Sequence, residues 1–171
     1  GIHDPANLVI TNGAASASTL SVVQSANTVY DGRLIGNIEL MKDGIGTLNL
    51  SGANAYSGPT LVSNGTLAVN GTHLGGGAYT IAGGILGGTG LIGSAIHVLA
   101  GGAVAPGNAI GMLSIDNSVD LDGVLQIELA NTGGPAGLGD ILDVNGFFDI
   151  TNGTVQFVYS GALTNDFYIF S

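Results

Sequence analysis

The stretch GIGTLNLSGANAYSGPTLVSNGTL, from Gly44 to Leu67, contains the pattern that decides the fold. In its TLNL segment apolar and polar residues alternate, so Leu48 and Leu50 face one side of a strand and Asn49 faces the other. The alternation stops after a few residues at Ser-Gly or Asn-Gly pairs, which are typical of tight turns. The stretch therefore predicts very short strands with one buried face, joined by turns.

The same pattern recurs elsewhere in the chain. Ser18–Gly32 resembles Gly46–Gly58, and the comparison places Tyr30 and Tyr56 at equivalent repeat positions. A third Thr-Leu-x-Val occurs at 66–69. A unit of roughly 20 to 27 residues is in the range of solenoid repeats. We therefore expect coils stacked along an axis, about five of them up to residue 110, each pairing with the next at about 4.8 Å.

The composition favours a folded protein with almost no helix. Apolar residues make up 45% and charged residues 8% of the 171 residues, whereas disordered chains combine low hydrophobicity with high charge. No run approaches the roughly 18 apolar residues of a membrane span, so we expect no membrane insertion by this segment. Arg33 and Lys42 are the only fixed positive charges, and the net charge of −10 excludes a nucleic-acid partner.

The pattern changes after Pro106. Ser118–Ala130 is a longer alternation, and all five Phe residues follow residue 146. Aromatic strands joined by glycine turns indicate hairpins, and a solenoid needs a covered end. We therefore predict an all-β parallel β-helix with β-solenoid coils over residues 1–110 and a hairpin-rich C-terminal cap of the same domain over residues 111–171.

These residues resemble the passenger region of autotransporters and its autotransporter-associated β-strand repeat, the passenger-associated transport repeat. Gly44–Leu67 matches nearly every fixed position of the pattern G-x-G-T-L-x-L-x-G-x-N-x-Y-x-G-x-T-x-V-x-x-G-T-L. Gly101–Ile115, Gly123–Leu129 and Gly139–Gly146 follow in the order typical of that family. The resemblance implies a right-handed parallel β-helix exported to a bacterial surface, a hairpin-rich end that aids folding, and no catalytic residues.

The segment GGTGLIGS, Gly87–Ser94, has the glycine spacing of a dinucleotide-binding turn. Such a turn needs a helix after it and an acidic residue about 20 positions further on. The following segment is not an amphipathic helix, and the next acidic residue is Asp116, beyond a proline. We therefore interpret these glycines as corners of a coil and expect no nucleotide cofactor.

The segment GGPAGLGDILD, residues 133–143, resembles one copy of a calcium-binding nonapeptide repeat. Asp140 and Asp143 are the candidate calcium ligands. Such sites take ligands from successive repeats, and no second copy is present. The alternative interpretation is a solvated loop before a strand, and we expect no other cofactor.

Catalytic side chains are sparse. Asp120 and Asp122 are two positions apart in a predicted strand, and paired carboxylates serve in glycoside hydrolysis. The alternative is an outward polar face. His3, His73 and His97 have no metal-ligand spacing, and His97 alternates with apolar neighbours, so we expect it to face outward. We expect no enzyme, with a polysaccharide-active enzyme as a remote alternative.

The predicted function is structural or adhesive: an extracellular protein of the bacterial cell surface that forms a stalk or display segment of an autotransporter-like passenger. Its expected partners are surface molecules of host or neighbouring cells, or copies of itself. Tyr30 and Tyr56 either bind such ligands or pack a corner of the solenoid. The alternative is a self-assembling subunit of an extracellular filament, joined by end-to-end or strand-exchange contacts.

Overall fold

The computed structural model describes residues 8–130 and 138–160. Within these residues the chain is all-β, without helix, and three parallel sheets form a β-solenoid of about six turns. The prediction of a parallel β-solenoid is therefore confirmed. No helix among the described residues has the length and apolarity needed to cross a membrane.

Each sheet takes one strand from each turn. The first sheet contains β1 (Val9–Asn12), β4 (Arg33–Gly36), β7 (Ala53–Tyr56), β10 (Thr72–His73), β13 (Leu91–Ile92), β16 (Met112–Ile115) and β20 (Ile141–Val144). The second contains β2 (Ser18–Val23), β5 (Ile38–Asp43), β8 (Thr60–Val62), β11 (Tyr79–Ile81), β14 (Ile96–Val98), β17 (Val119–Leu121) and β21 (Phe148–Asp149). The third contains β3 (Thr28–Tyr30), β6 (Thr47–Leu50), β9 (Thr66–Val69), β12 (Ile85–Gly88), β15 (Ala103–Pro106), β18 (Val124–Ala130), β19 (Leu138–Gly139) and β22 (Thr154–Ser160).

The hydrophobic core is the inside of the solenoid, where equivalent positions of successive turns stack. In the third sheet, Leu48 pairs with Leu67, which pairs with Leu86. These inward leucines are buried, whereas Thr47 and Asn49 on the outer face of β6 are partly exposed. The two-residue period of the sequence thus sets which side chains enter the core.

The solenoid continues beyond residue 110. The strands β16 to β18, and then β20 to β22, pair in parallel with the preceding turn. Among the described residues, the one antiparallel strand pair joins β18 to β19. Period-two alternation is shared by parallel and antiparallel strands, so it does not distinguish a hairpin from a coil. The rest of the predicted cap, residues 131–137 and 161–171, lies outside the described residues.

Side-chain amides connect successive turns at the corners. Oδ1 of Asn70 accepts hydrogen bonds from the backbone N–H of Thr89 at 3.0 Å and from Nδ2 of Asn108 at 3.1 Å. Nδ2 of Asn64 donates to the Asp43 carboxylate at 2.8 Å. The Asn residues that predict turns in the sequence therefore also link each turn to its neighbours.

Candidate functional site

Tyr30 and Tyr56 do not occupy equivalent positions, so that prediction is wrong. Tyr30 lies in β3 of the third sheet and pairs with Leu50. Tyr56 lies in β7 of the first sheet and pairs with Gly36. The segment Ser18–Gly32 begins with β2 of the second sheet, whereas Gly46–Gly58 begins with β6 of the third sheet. The two segments look alike because strands of different sheets share the same short alternation.

Tyr56 belongs to a buried polar cluster in the middle of the solenoid, which we call the His73 network: Tyr56, Thr60, His73 and Tyr79. Its hydroxyl lies 2.6 Å from Oγ1 of Thr60 and 3.4 Å from the hydroxyl of Tyr79. Its ring stacks on the His73 ring, with centroids 3.9 Å apart. Since Tyr56 is fully buried, it packs the interior and does not present a ligand-binding surface.

His73 contacts both tyrosines of this network. Nδ1 lies 2.7 Å from the Tyr79 hydroxyl, and Nε2 lies 3.0 Å from the backbone carbonyl of Tyr56. Burial lowers the pKa of His73, and the bond to the Tyr56 carbonyl partly offsets this effect. Burial also raises the pKa of Tyr56 and raises that of Tyr79 well above its usual value. All four members are therefore neutral at physiological pH.

Tyr30 lies at the N-terminal end of the solenoid, where the interior contains a cavity of about 230 Å³. Its hydroxyl donates to the carbonyl of Leu8 at 3.3 Å or to that of Arg33 at 3.2 Å. The cavity lining is mostly apolar and includes Ile10 and Leu20. No charged side chain of the described residues lines this recess.

Lys42 is directed into the solenoid and is fully buried. Its Nζ donates to the backbone carbonyls of Asp43 at 2.9 Å, Gly44 at 2.8 Å and Asn64 at 3.2 Å. Burial lowers the pKa of Lys42, and the neighbouring Asp43 carboxylate partly offsets this. One of the two cations of the sequence therefore binds backbone carbonyls, and Arg33 is left as the exposed one.

The two candidate calcium ligands are not brought together. Asp140 is buried, and its oxygens accept hydrogen bonds from the backbone N–H groups of Gly111 at 2.9 Å and Glu128 at 2.8 Å. Asp143 is exposed on β20, on the face opposite to the buried one. Among the described residues no group of three or more His, Cys, Asp or Glu side chains is placed to hold a metal ion.

Asp120 and Asp122 have separate partners. Asp120 is exposed on β17, and its Oδ2 lies 3.4 Å from Nδ1 of His97, which faces outward as predicted. Asp122 follows the end of β17, and its Oδ1 accepts a hydrogen bond from Nδ2 of Asn152 at 2.9 Å. Among the described residues no shared hydrogen-bond partner connects the two carboxylates. Asp120 contacts the side chain of His97, and Asp122 contacts that of Asn152. His3 lies outside the described residues.

The segment Gly87–Ser94 contains the end of β12, a corner at residues 89–90 and the whole of β13, and no helix follows it within the described chain. Gly88 has a φ of +111°, and a Cβ there would lie 2.2 Å from the carbonyl oxygen of Val69. A Cβ on Gly90 would lie 2.0 Å from the carbonyl oxygen of Gly71, so neighbouring turns approach too closely for a side chain at either position, whereas a Cβ on Gly93 would meet its nearest atoms at 3.5 Å. Gly90 therefore lies at a coil corner as predicted, whereas Gly87 and Gly88 belong to strand β12.

Sequence reasoning missed the interior polar groups, although part of the signal was present. In IELMKD, Lys42 shares the period-two face of Ile38 and Leu40, which indicates an inward lysine. Tyr79 likewise shares a face with Ile81. β10 has only two residues, which is too short for any alternation to predict the direction of His73.

Comparison with known protein families identifies the class of the repeat. Residues 40–69 match the family model described as a passenger-associated-transport-repeat. The match extends from β5 to β9, about one and a half turns of the solenoid, and includes the stretch Gly44–Leu67. The chain therefore carries an autotransporter passenger repeat, and the resemblance seen in its sequence is confirmed. No curated protein matches the chain.

Proposed function

We propose that this chain is a structural segment of an autotransporter-like passenger that projects or displays other parts of its parent protein outside a bacterial cell. The observation that supports the proposal is the passenger repeat at residues 40–69, which lies within a continuous parallel β-solenoid. A passenger fold with repeats of this kind fits secretion to the cell surface.

The physical properties of the rod suit such a role. Each inner turn is hydrogen-bonded to the turns on both sides, and most of the inward side chains from β4 to β18 are apolar. Short corners leave few accessible peptide bonds for proteases, because cleavage requires several residues of locally unfolded chain. The acidic surface, with a net charge of −10, disfavours adsorption to anionic membranes and nucleic acids.

We propose no catalytic role for the segment. The carboxylates of Asp120 and Asp122 bind different partners, and the paired carboxylates of a glycosidase must flank one substrate bond. Arg33 is the single exposed cation of the sequence, because Lys42 is buried. Binding of a host or neighbouring-cell molecule would then use loops or further domains of the parent protein, with this segment as their support.

The display function can be tested on cells that produce the parent protein. Antibodies raised against the purified chain should label intact cells, and proteinase K added outside should release the labelled protein from the cells while a cytoplasmic marker stays intact. Labelling that requires permeabilised cells would contradict the proposal. A fragment protected from the protease and reactive with the antibody after brief treatment is expected, since the solenoid is compact.

A second candidate is end-to-end self-association, which the apolar N-terminal end favours. Ile10 at this end is 38% exposed, although it continues an inward row of the first sheet. At the opposite end, Phe148 continues the row of Val119 and is also 38% exposed. The strands of the first and last turns run in the same direction. The C-terminal turn of one copy could therefore pair in parallel with the N-terminal turn of the next copy and extend its sheets.

Sedimentation velocity over a concentration series tests self-association. Leu20→Glu places a charge in the apolar end, and Ser21→Glu adds the same charge on the exposed face of the same strand. Association should be lost in the first variant, kept in the second, and strengthened by salt, which screens the repulsion between acidic copies. If the wild type sediments as a monomer at every protein and salt concentration, end-to-end self-association is contradicted.

A further inference from the structure

A connected cluster of polar side chains fills the interior of the solenoid between the turn β7–β9 and the turn β10–β12. The four members of the His73 network, Tyr56, Thr60, His73 and Tyr79, point inward there and are at most 1% exposed. The next turn has aliphatic side chains at the positions that pair with His73 and Tyr79. The network therefore replaces apolar packing at this step, where its four side chains bond mainly to one another, whereas the buried Lys42 and Asn54 bond to the backbone.

The partners of the network fix the direction of its hydrogen bonds. Nε2 of His73 faces a carbonyl oxygen, which has no proton, so Nε2 must carry the proton and donate. Nδ1 of the neutral ring is then an acceptor and receives the proton of the Tyr79 hydroxyl. The Tyr79 oxygen can in turn accept from Tyr56, whose oxygen accepts from Thr60. In this order every hydroxyl proton has an acceptor.

No charged group compensates a positive charge on His73. The neighbours of the His73 side chain are all uncharged. They are Asn54 and Tyr56 of β7, Tyr79 of β11 and the aliphatic Ile92 of β13. No carboxylate among the described residues lies within hydrogen-bond distance of the ring. The groups that would favour the imidazolium are both from Tyr56: its backbone carbonyl, which accepts from Nε2, and its stacked ring.

A second proton on His73 would reverse the whole network. Nδ1 would become a donor, so the Tyr79 oxygen would have to accept and its proton would have to turn to Tyr56. Tyr56 would then donate to Thr60, and the Thr60 proton would have no acceptor within the network. Protonation thus leaves a buried unpaired charge and a buried unpaired donor, both of which destabilise the folded state.

We propose that the His73 network is an acid-sensitive latch that holds the turn β7–β9 against the turn β10–β12, and that protonation of His73 opens the solenoid at this step. Burial lowers the pKa of His73 below its value of about 6.5 in the unfolded chain. The unfolded state then binds more protons, so the contribution to stability is complete above about pH 6.5 and is lost as the pH falls below it. The latch is therefore closed at neutral pH and weakened in acid.

The first experiment measures urea unfolding at pH 7.5 and pH 5.0 for the wild type, His73→Gln and His97→Gln. Glutamine can still donate to the Tyr56 carbonyl and accept from Tyr79, but it does not titrate. His97 is the matched control, because its side chain is 51% exposed. The wild type and His97→Gln should lose stability at pH 5.0 by about tenfold in the folding equilibrium for each pKa unit by which His73 is lowered. His73→Gln should lose clearly less, and an equal loss in all three would overturn the proposal.

The second experiment uses the wild type alone and does not depend on a variant that folds. In an NMR titration, the His73 ring should titrate below about pH 6.5, the value of a histidine in an unfolded chain, because the ring is buried. Hydrogen exchange at pH 5.0, corrected for the intrinsic rate, should show lost protection in β7 and β10 before β14 and β17. A His73 pKa at or above about 6.5, the value in an unfolded chain, or equal loss of protection in all four strands, would overturn the latch.

Discussion

The side-chain oxygen of Asn54 accepts a hydrogen bond from the backbone N–H of Leu34, one turn earlier, at 2.9 Å. Asn54 is buried, and its Nδ2 donates to the carbonyl of Gly52 at 3.1 Å. Asn54 is also the asparagine of the N-x-Y element in the passenger repeat at residues 40–69. The repeat therefore specifies an interior amide that links two successive turns of the solenoid.

Replacing Asn54 by leucine preserves the approximate size of the side chain and removes both hydrogen bonds. The buried N–H of Leu34 then has no acceptor, so we expect a loss of about 1–3 kcal/mol in the free energy of unfolding. Asn145→Leu is the control, because Asn145 is exposed and donates to an exposed partner, Asp116. Urea unfolding at pH 7.5 checks the difference, and equal stability of the two variants would contradict the role of Asn54.

Gly75 and Gly76 are adjacent but differ in the space around them. A Cβ on Gly75 would lie 1.9 Å from the carbonyl oxygen of Tyr56 and 2.3 Å from Nε2 of His73, whereas a Cβ on Gly76 has nothing within 4 Å. Gly75→Ala should destabilise the protein by about 1–3 kcal/mol or more, because neither the backbone carbonyl nor the packed ring can move aside. Gly76→Ala should change stability by no more than about 0.5 kcal/mol.

Thermal unfolding of both glycine variants checks this close contact between turns. A Gly75→Ala protein as stable as Gly76→Ala would show that β7 and the residues after β10 are not stacked as closely as the structure has them. A melting temperature lowered only in Gly75→Ala is the expected result.

The Asp140 carboxylate accepts a backbone hydrogen bond on each oxygen, whereas the Asp143 side chain is exposed. In Asp140→Asn the side-chain NH₂ group replaces one carboxylate oxygen, so one of the two backbone N–H donors has no acceptor. We therefore expect a loss of about 1–3 kcal/mol in the free energy of unfolding. Asp143→Asn should change stability by no more than about 0.5 kcal/mol. Urea unfolding of the two variants measures both effects.

The same proteins test the calcium hypothesis. Because both Asp140 oxygens are engaged by backbone donors, millimolar calcium should leave the melting temperature of the wild type unchanged. A calcium-dependent rise that disappears in both Asp140→Asn and Asp143→Asn would contradict this expectation and restore the two residues as ligands.

Much of the fold could be predicted from the sequence, because the determinants of a solenoid turn are local. The alternation around Leu48 and the Asn-Gly turns specify short strands and corners, and the repeat at residues 40–69 specifies their order. What could not be predicted is which sheet each strand joins. Tyr30 and Tyr56 lie in similar sequence contexts, yet they belong to different sheets, because similar alternations begin at different corners.

The interior polar groups depend on contacts between turns, which no single segment contains. The partners of His73 come from β7 and β11, which lie on either side of it in the sequence. The direction of a side chain in a two-residue strand has no sequence signal of its own. The sequence also does not predict that the solenoid extends past residue 110, because alternation alone does not distinguish a strand of a parallel coil from a strand of a hairpin.

The central claim is that this passenger solenoid is displayed outside the cell. Because the sequence contains no cysteine, single cysteines introduced into it test this claim most directly. Ser57 is exposed and Val62 is fully buried, and both lie within the repeat at residues 40–69. In the parent protein on intact cells, a membrane-impermeant maleimide should label Ser57→Cys at once and Val62→Cys only after denaturation. Labelling of Ser57→Cys only after lysis would contradict display at the surface, and equal labelling of both variants on intact cells would contradict the solenoid.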